Sequence, residues 1–156
     1  MSRETYQQAI NLMKQKEDEC DFVGKRPEKI IKIAENAIGF RFSKMYRDFV
    51  LNFGAGNFGS QEIYGVINDD FKNSSVPDAI WYTLTERKQY KLPNHFLVIY
   101  DTGMGVLYCL NFESVNEMGE PNVIEYIPGV KIDEQEFASI AKDFGDFLLD
   151  IIEEEI

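Results

Sequence analysis

The chain has 156 residues, with 27 Asp plus Glu against 16 Lys plus Arg and a formal charge of −11. At ~100–200 residues per domain this is one domain, and a composition 44% hydrophobic and 13% aromatic is too apolar for a disordered acidic tail. The acid excess disfavours binding to nucleic-acid phosphates and to anionic membranes, and favours solubility and steering toward something basic. It is also uneven: residues 1–48 hold 10 basic and 8 acidic side chains, a balance of +2, whereas residues 49–156 hold 6 and 19, a balance of −13.

In chain order, Tyr6, Ala9, Ile10 and Met13 have the i, i+3, i+4, i+7 spacing of an amphipathic helix. A second helix is expected from Pro27 to Gly39, with Ile30, Ile33, Ala34, Ala37 and Ile38 as its apolar face. Ser43 reads as the N-cap of a third, lined by Tyr46, Phe49, Val50 and Phe53 and ended by Gly54-Ala55-Gly56. Glu62 to Ile67 reads as a short strand. Ala79 to Tyr90 reads as a helix with Ile80, Trp81 and Leu84 inward. Phe96 to Tyr100 and Val106 to Asn111 are β-rich runs joined by Asp101-Thr102-Gly103-Met104-Gly105, a hairpin connection. Asn122 to Ile127 gives another strand. Phe137, Ile140, Ala141, Phe144, Phe147, Leu148, Ile151 and Ile152 recur at helical spacing, with a possible break near Lys142 and an Asp143/Asp146 capping pattern. Helices, then a meander, then a helix is an α+β order in one domain, residues 1–156.

Motifs that resemble chemistry dissolve in context. Gly54-Ala55-Gly56-Asn57-Phe58-Gly59 matches GxGxxG, but a dinucleotide site needs those glycines between a strand and a helix, and here the order is reversed. Asp101-Thr102-Gly103 has the letters of an aspartic-protease strand, yet a tight turn explains it, and a single copy would need a paired second carboxylate. His95 is the only histidine, with no nucleophile beside it and no multi-histidine metal site within reach of the composition. No catalytic residue, cofactor or metal is expected. The N-terminal residues carry no apolar secretory core, and no apolar run approaches the ~20 residues that span a bilayer. Cys20 and Cys109 follow no paired motif, so a cytoplasmic protein with free thiols is expected, Cys109 packed in a strand.

The stretch from Ile30 to Gly56, IIKIAENAIGFRFSKMYRDFVLNFGAG, resembles the N-terminal signature of the SUKH (Smi/Knr-like) superfamily: a helix ending in a glycine turn, then an aromatic helix and a glycine-rich loop. Glu62-Ile63-Tyr64-Gly65, Leu92-Pro93 before Phe96-Leu97-Val98-Ile99, Gly103 to Leu110 and Phe144 to Leu149 follow in the same order, so the resemblance covers roughly residues 25–152. Ser43 stands where the family often has proline, and Ala55 interrupts its glycine pair. The chain is particularly similar to bacterial members of YobK type. The resemblance implies a mixed, largely antiparallel sheet with helices packed on it, and no catalysis. It also implies an immunity protein for a cognate toxin, the C-terminal nuclease domain of an LXG-type protein, with no direct contact to nucleic acid or membrane. A monomer or weak homodimer is expected.

Such an inhibitor would present carboxylates where the nuclease holds phosphates. The expected partner-binding surface draws on Asp69, Asp70, Asp101, Glu113, Glu117 and Glu120, with Tyr64 or Trp81 as aromatic anchors. The competing reading is a non-catalytic intracellular scaffold or regulatory binding module; a small hydrolase ranks last, since no nucleophile, base or metal cluster can be named.

Overall fold

In a computed structural model of the chain, residues 2–156 are described. Helix α1 (Ser2–Gln15) buries Tyr6, Ala9, Ile10 and Met13, as their spacing requires. Helix α2 (Glu28–Ile38) begins after Pro27 and closes at Gly39, whose φ of 93° lets its N–H bond the Glu35 carbonyl at 2.9 Å. The buried face of α2 is Ile31, Ala34, Glu35 and Ile38, while Ile30 and Ile33 are half-buried and Ala37 is exposed. The expected stripe is thus rotated, because a glutamate occupies the core side. Its carboxylate accepts the Phe42 N–H at 2.7 Å and pairs with Arg47 at 2.9 Å, which satisfies it there. Helix α3 (Lys44–Phe53) buries Met45, Tyr46, Phe49 and Val50 and stops at Gly54.

A first sheet takes the order β1 (Cys20–Phe22), β2 (Gly56–Phe58), β3 (Gln61–Ile63), all antiparallel. Neither β1 nor β2 is apparent from the sequence. The GxGxxG stretch is therefore helix stop plus strand: Gly56 sits so close to the backbone of Asp21 and Phe22 that a side chain there would collide with it. The strand expected over Glu62–Ile67 shortens to Gln61–Ile63. Beyond it the Tyr64 N–H donates to the Ile99 carbonyl at 2.9 Å, and Gly65 makes an isolated parallel bridge to Asp78.

Helix α4 (Ala79–Tyr90) has the expected bounds, fixed by Asp78, whose carboxylate accepts the Ile80 and Trp81 N–H groups at 2.9 and 3.2 Å. Ala79, Ile80, Thr83 and Glu86 face inward; Trp81 and Leu84, expected inward, are half-buried. The second sheet runs β4 (Phe96–Asp101), β5 (Leu107–Val115), β6 (Pro121–Tyr126), β7 (Ser139–Ala141), again antiparallel throughout. Strand β7 corrects the helix expected over Phe137–Ala141. Phe137 packs edge-on against Phe96 at 4.9 Å, and the chain turns helical only at α5 (Phe144–Glu155), capped by Asp143 accepting the Asp146 N–H at 3.0 Å.

Two helices sandwich this second sheet. Alternation along β5 sends Cys109 toward α4, where Thr83 Oγ1 accepts the Val98 N–H at 3.0 Å, and sends Tyr108 toward Phe147 of α5. A register shift between Val98 and Tyr100 leaves the Ile99 carbonyl free for Tyr64, which joins the two sheets. The described residues thus form one α+β architecture of five α-helices and two antiparallel sheets.

Candidate protein-binding site

The end of β4 gathers aromatic rings and carboxylates from six elements, β3, β4, β5, β6, α4 and α5. In the second sheet Tyr100, Tyr108 and Glu125 lie in one row across β4, β5 and β6. The two tyrosine rings stack at 5.5 Å, and both meet Phe147 edge-on at 5.5 and 6.0 Å. The Tyr100 hydroxyl donates to Gln61 Oε1, and Gln61 Nε2 donates to Glu154 at 3.3 Å. On the α4 side Tyr82 stacks on Tyr64 at 5.4 Å and meets Trp81 edge-on at 5.8 Å. Asp101 lies between the two groups: one carboxylate oxygen holds the Gly103 N–H at 2.8 Å, the other is 3.5 Å from the Tyr82 hydroxyl.

Electrostatics tie these residues into one environment. Burial raises the pKa of Tyr64, and the charges of Asp101, Tyr82, Glu62 and Tyr100 add to the rise. Burial and then Asp101 push Tyr82 up to about 12. Tyr100 is raised by burial and by Glu154, Tyr108, Glu155 and Asp101; Tyr108 by burial, Glu125 and Glu154. Glu62 is held above its usual value by burial and by Asp101. The phenols therefore stay protonated donors through the physiological range, set among like-charged acids. Among the described residues no lysine or arginine pairs with Glu62, Asp101, Glu125 or Glu154; the ion pair seen, Arg47–Glu35, lies between α2 and α3. Such a face can do two things: attract a cationic surface, and offer large half-buried rings for it to pack on.

The expected binding residues scatter. Asp101, Tyr64 and Trp81 belong to this strip, although Tyr64 is only 2% exposed and serves as the platform under Tyr82 rather than as a free anchor. Asp69 and Asp70 are exposed on the loop before α4, and Asp70 turns its carboxylate onto its own loop, accepting the Lys72 and Asn73 N–H groups at 3.2 and 3.1 Å. Glu113 and Glu117 are exposed at the far end of β5. Asp101 pairs with Leu107, so Glu113 lies roughly 20 Å away at ~3.3 Å per strand residue. Glu120 is 3% exposed and accepts the Met45 N–H at 3.4 Å, at the start of α3. It is not a surface carboxylate: Ser43 makes no capping bond, and Glu120 supplies the missing acceptor. The strip's other members, Glu62, Tyr82, Tyr100, Tyr108, Glu125 and Glu154, escape sequence reasoning. Tyr100 and Tyr108 left a usable signal, for they are equidistant from Met104 at the tip of the hairpin.

The remaining motifs take structural roles. Asp101-Thr102-Gly103 forms the β4–β5 turn, with the Thr102 N–H bonded to the Val106 carbonyl at 3.1 Å. His95 is exposed and stacks loosely on Phe40 at 6.3 Å. Cys20 and Cys109 are free thiols, the second buried in β5. Among the described residues no three His, Cys, Asp or Glu side chains converge to hold a metal, and no helix is long and apolar enough to cross a membrane.

These elements make a small α+β domain of two antiparallel sheets with an acidic and aromatic strip at the end of β4. The chain belongs to the SUKH family: the family model described as SMI1-KNR4 cell-wall matches residues 6–153. The family is in general one of immunity-protein-like binding proteins associated with a cognate toxin, not of enzymes. A search of curated proteins finds no match.

Proposed function

We propose that this chain is an immunity protein that neutralises a nuclease toxin, the C-terminal domain of an LXG-type protein, by covering its basic substrate-binding surface in the cytoplasm. The observation that supports the reading is the strip at the end of β4: half-buried Trp81, Tyr82, Tyr100 and Tyr108 flanked by Glu62, Asp101, Glu125 and Glu154, with no cation among the described residues spent on them. A nuclease groove must be basic to hold a polyanion, so carboxylates can take the place of phosphates while the rings supply the desolvated centre. Electrostatic complementarity of this kind speeds encounter and enforces specificity.

The test is co-expression with the toxin's nuclease domain, using the triple variant Glu62→Lys, Asp101→Lys, Glu125→Lys. All three are surface or half-buried positions outside the core, so the variant should keep its far-UV spectrum and melting temperature while losing protection of the host. Undiminished protection would remove the strip as the interface. Loss of protection on reversing Asp69, Asp70, Glu113 and Glu117 instead would move the interface to those loops. A triple variant that fails to protect but still binds would separate binding from inhibition.

A further inference from the structure

A groove lies between α2 and α3, well away from the acidic strip, and its charge has the opposite sign. It has a volume of about 630 Å³ and is lined by Lys32, Glu35, Asn36, Gly39, Phe40, Arg41 and Arg47. Its one acid is already neutralised. Glu35 is 7% exposed, accepts the Phe42 N–H at 2.7 Å and takes Arg47 Nη2 on both oxygens at 2.9 and 3.0 Å. That arrangement fixes the Arg47 guanidinium through a single nitrogen and leaves Nε and Nη1 without an acceptor among the described residues. Lys32 and Arg41 have no hydrogen-bond or ion-pair partner among the described residues. In a chain of net charge −11, three cations with unspent donors around one concave surface are not explained by solubility.

We propose that this groove binds a small phosphorylated ligand bearing a planar ring, the chemistry of a nucleoside monophosphate. Two arginines and a lysine match a dianionic phosphate, arginine's fork being suited to its oxygens. Phe40, half-buried against Phe112 at 4.7 Å, gives the groove an apolar aromatic wall, and Asn36 offers both a donor and an acceptor to a ring edge. The volume falls within the ~300–1,000 Å³ of small-molecule sites. A long nucleic acid is a poor fit, since residues 49–156 carry −13 and would repel a strand leaving the groove. The inference is independent of toxin binding.

Adenosine monophosphate, uridine monophosphate, adenosine and inorganic phosphate would be titrated into the purified protein at 150 mM salt, read by calorimetry and by amide chemical shifts. A nucleotide is expected to bind saturably, shifting the amides of Asn36, Gly39, Phe40 and Arg41, with phosphate alone weaker and competitive. Lys32→Glu and Arg41→Glu, both exposed, should each weaken binding roughly tenfold or more without changing the melting temperature. Arg47 is left intact because it also holds Glu35. The proposal is overturned if none of the probes saturates at millimolar concentration, if Lys32→Glu and Arg41→Glu bind as the parent does, or if phosphate binds as tightly as the nucleotides. It is equally overturned if a hexaglutamate peptide occupies the groove and the nucleotides do not, which would assign it to an acidic protein segment.

Discussion

Replacing Glu120 separates two effects of its carboxylate at the start of α3. The residue reaches Met45 from 75 positions away and is 3% exposed, with Oε2 3.4 Å from the Met45 N–H and Oε1 unpartnered. Burial raises its pKa above 4.5 in spite of opposing help from Ser43, Met45 and Lys44, and Asp143 adds to the rise. The ionised form is therefore less well accommodated in the folded chain than in the unfolded one. Glu120→Ala removes the acceptor from a helix whose own Ser43 makes no cap bond, and a lost N-cap costs about 0.5–2 kcal/mol. Glu120→Gln keeps an oxygen and discards the charge, so at pH 7.5 it should fall within about 0.5 kcal/mol of the parent or on its stable side. At ~2–4 °C per kcal/mol, the alanine variant should melt roughly 1–8 °C lower. Urea unfolding followed by circular dichroism at pH 7.5 measures both, and the difference between Gln and parent should narrow as the pH falls and the parent's carboxyl protonates. If Gln destabilises as much as Ala, the negative charge at the positive end of α3 outweighs its burial, and the reasoning fails.

The same burial sets a pH profile. Asp78, Glu86 and Glu120 all have raised pKa values, burial being the first cause of each. Above their ordinary values of 3.8 and 4.5 and below the raised ones, the native state holds more protons than the unfolded state, so stability is lost as pH rises through that window. The hydrogen-bonded Asp70 and Glu155 are shifted down and act in the opposite sense, below that range. Urea midpoints should be higher near pH 5 than at pH 7.5; a midpoint that climbs steadily to pH 7.5 would contradict this. Thr83→Val leaves the buried Val98 N–H without its acceptor and should cost about 1–3 kcal/mol with faster hydrogen exchange at Val98, while Thr83→Ser is nearly silent. Gly65→Ala drives a methyl group into the Gly54 carbonyl, which also accepts the Val66 N–H at 3.0 Å, and should cost more than ~3 kcal/mol; an unchanged melting temperature would refute the close approach.

Local signals in the sequence were enough for the elements that make their own case. Four of the five helices described follow from spacing and stop signals, and α4 keeps its expected bounds, Ala79–Tyr90, although Thr83 and Glu86 face inward with Ala79 and Ile80 where Trp81 and Leu84 were expected. What failed was whatever depends on a distant partner. Strand β1 has three residues and exists because β2 lies beside it, so Cys20-Asp21-Phe22 carries no periodicity to detect. Phe137, Ile140 and Ala141 fit a helical stripe, yet Val123 and Ile124 offered a sheet edge, and pairing overrode the pattern. Glu120 reads as a surface acid because the N–H it accepts, that of Met45, lies 75 positions away, and nothing local marks Glu35 as the acceptor for Phe42.

The acidic strip shows how near and how far the sequence came. Tyr100 pairs with Tyr108 and Asp101 with Leu107, each pair centred on Met104, so the first hairpin places two tyrosines side by side once its turn is located. The second hairpin defeats the same count. Starting from its Val115–Pro121 pair, regular register would set Tyr108 against Pro128 and leave the row without a carboxylate. The irregularity between Asn111 and Val115 shifts the register by three positions and brings Glu125 opposite Tyr108 instead. Because side chains alternate along a strand, an odd shift also changes which face each β6 residue presents. Glu125 therefore joins the tyrosines, and Ile124 and Tyr126 turn to the α4 side, through a local break in pairing that composition and periodicity do not encode. The −13 of residues 49–156 is legible as a number; the place of Glu125 beside Tyr108 is a consequence of that register.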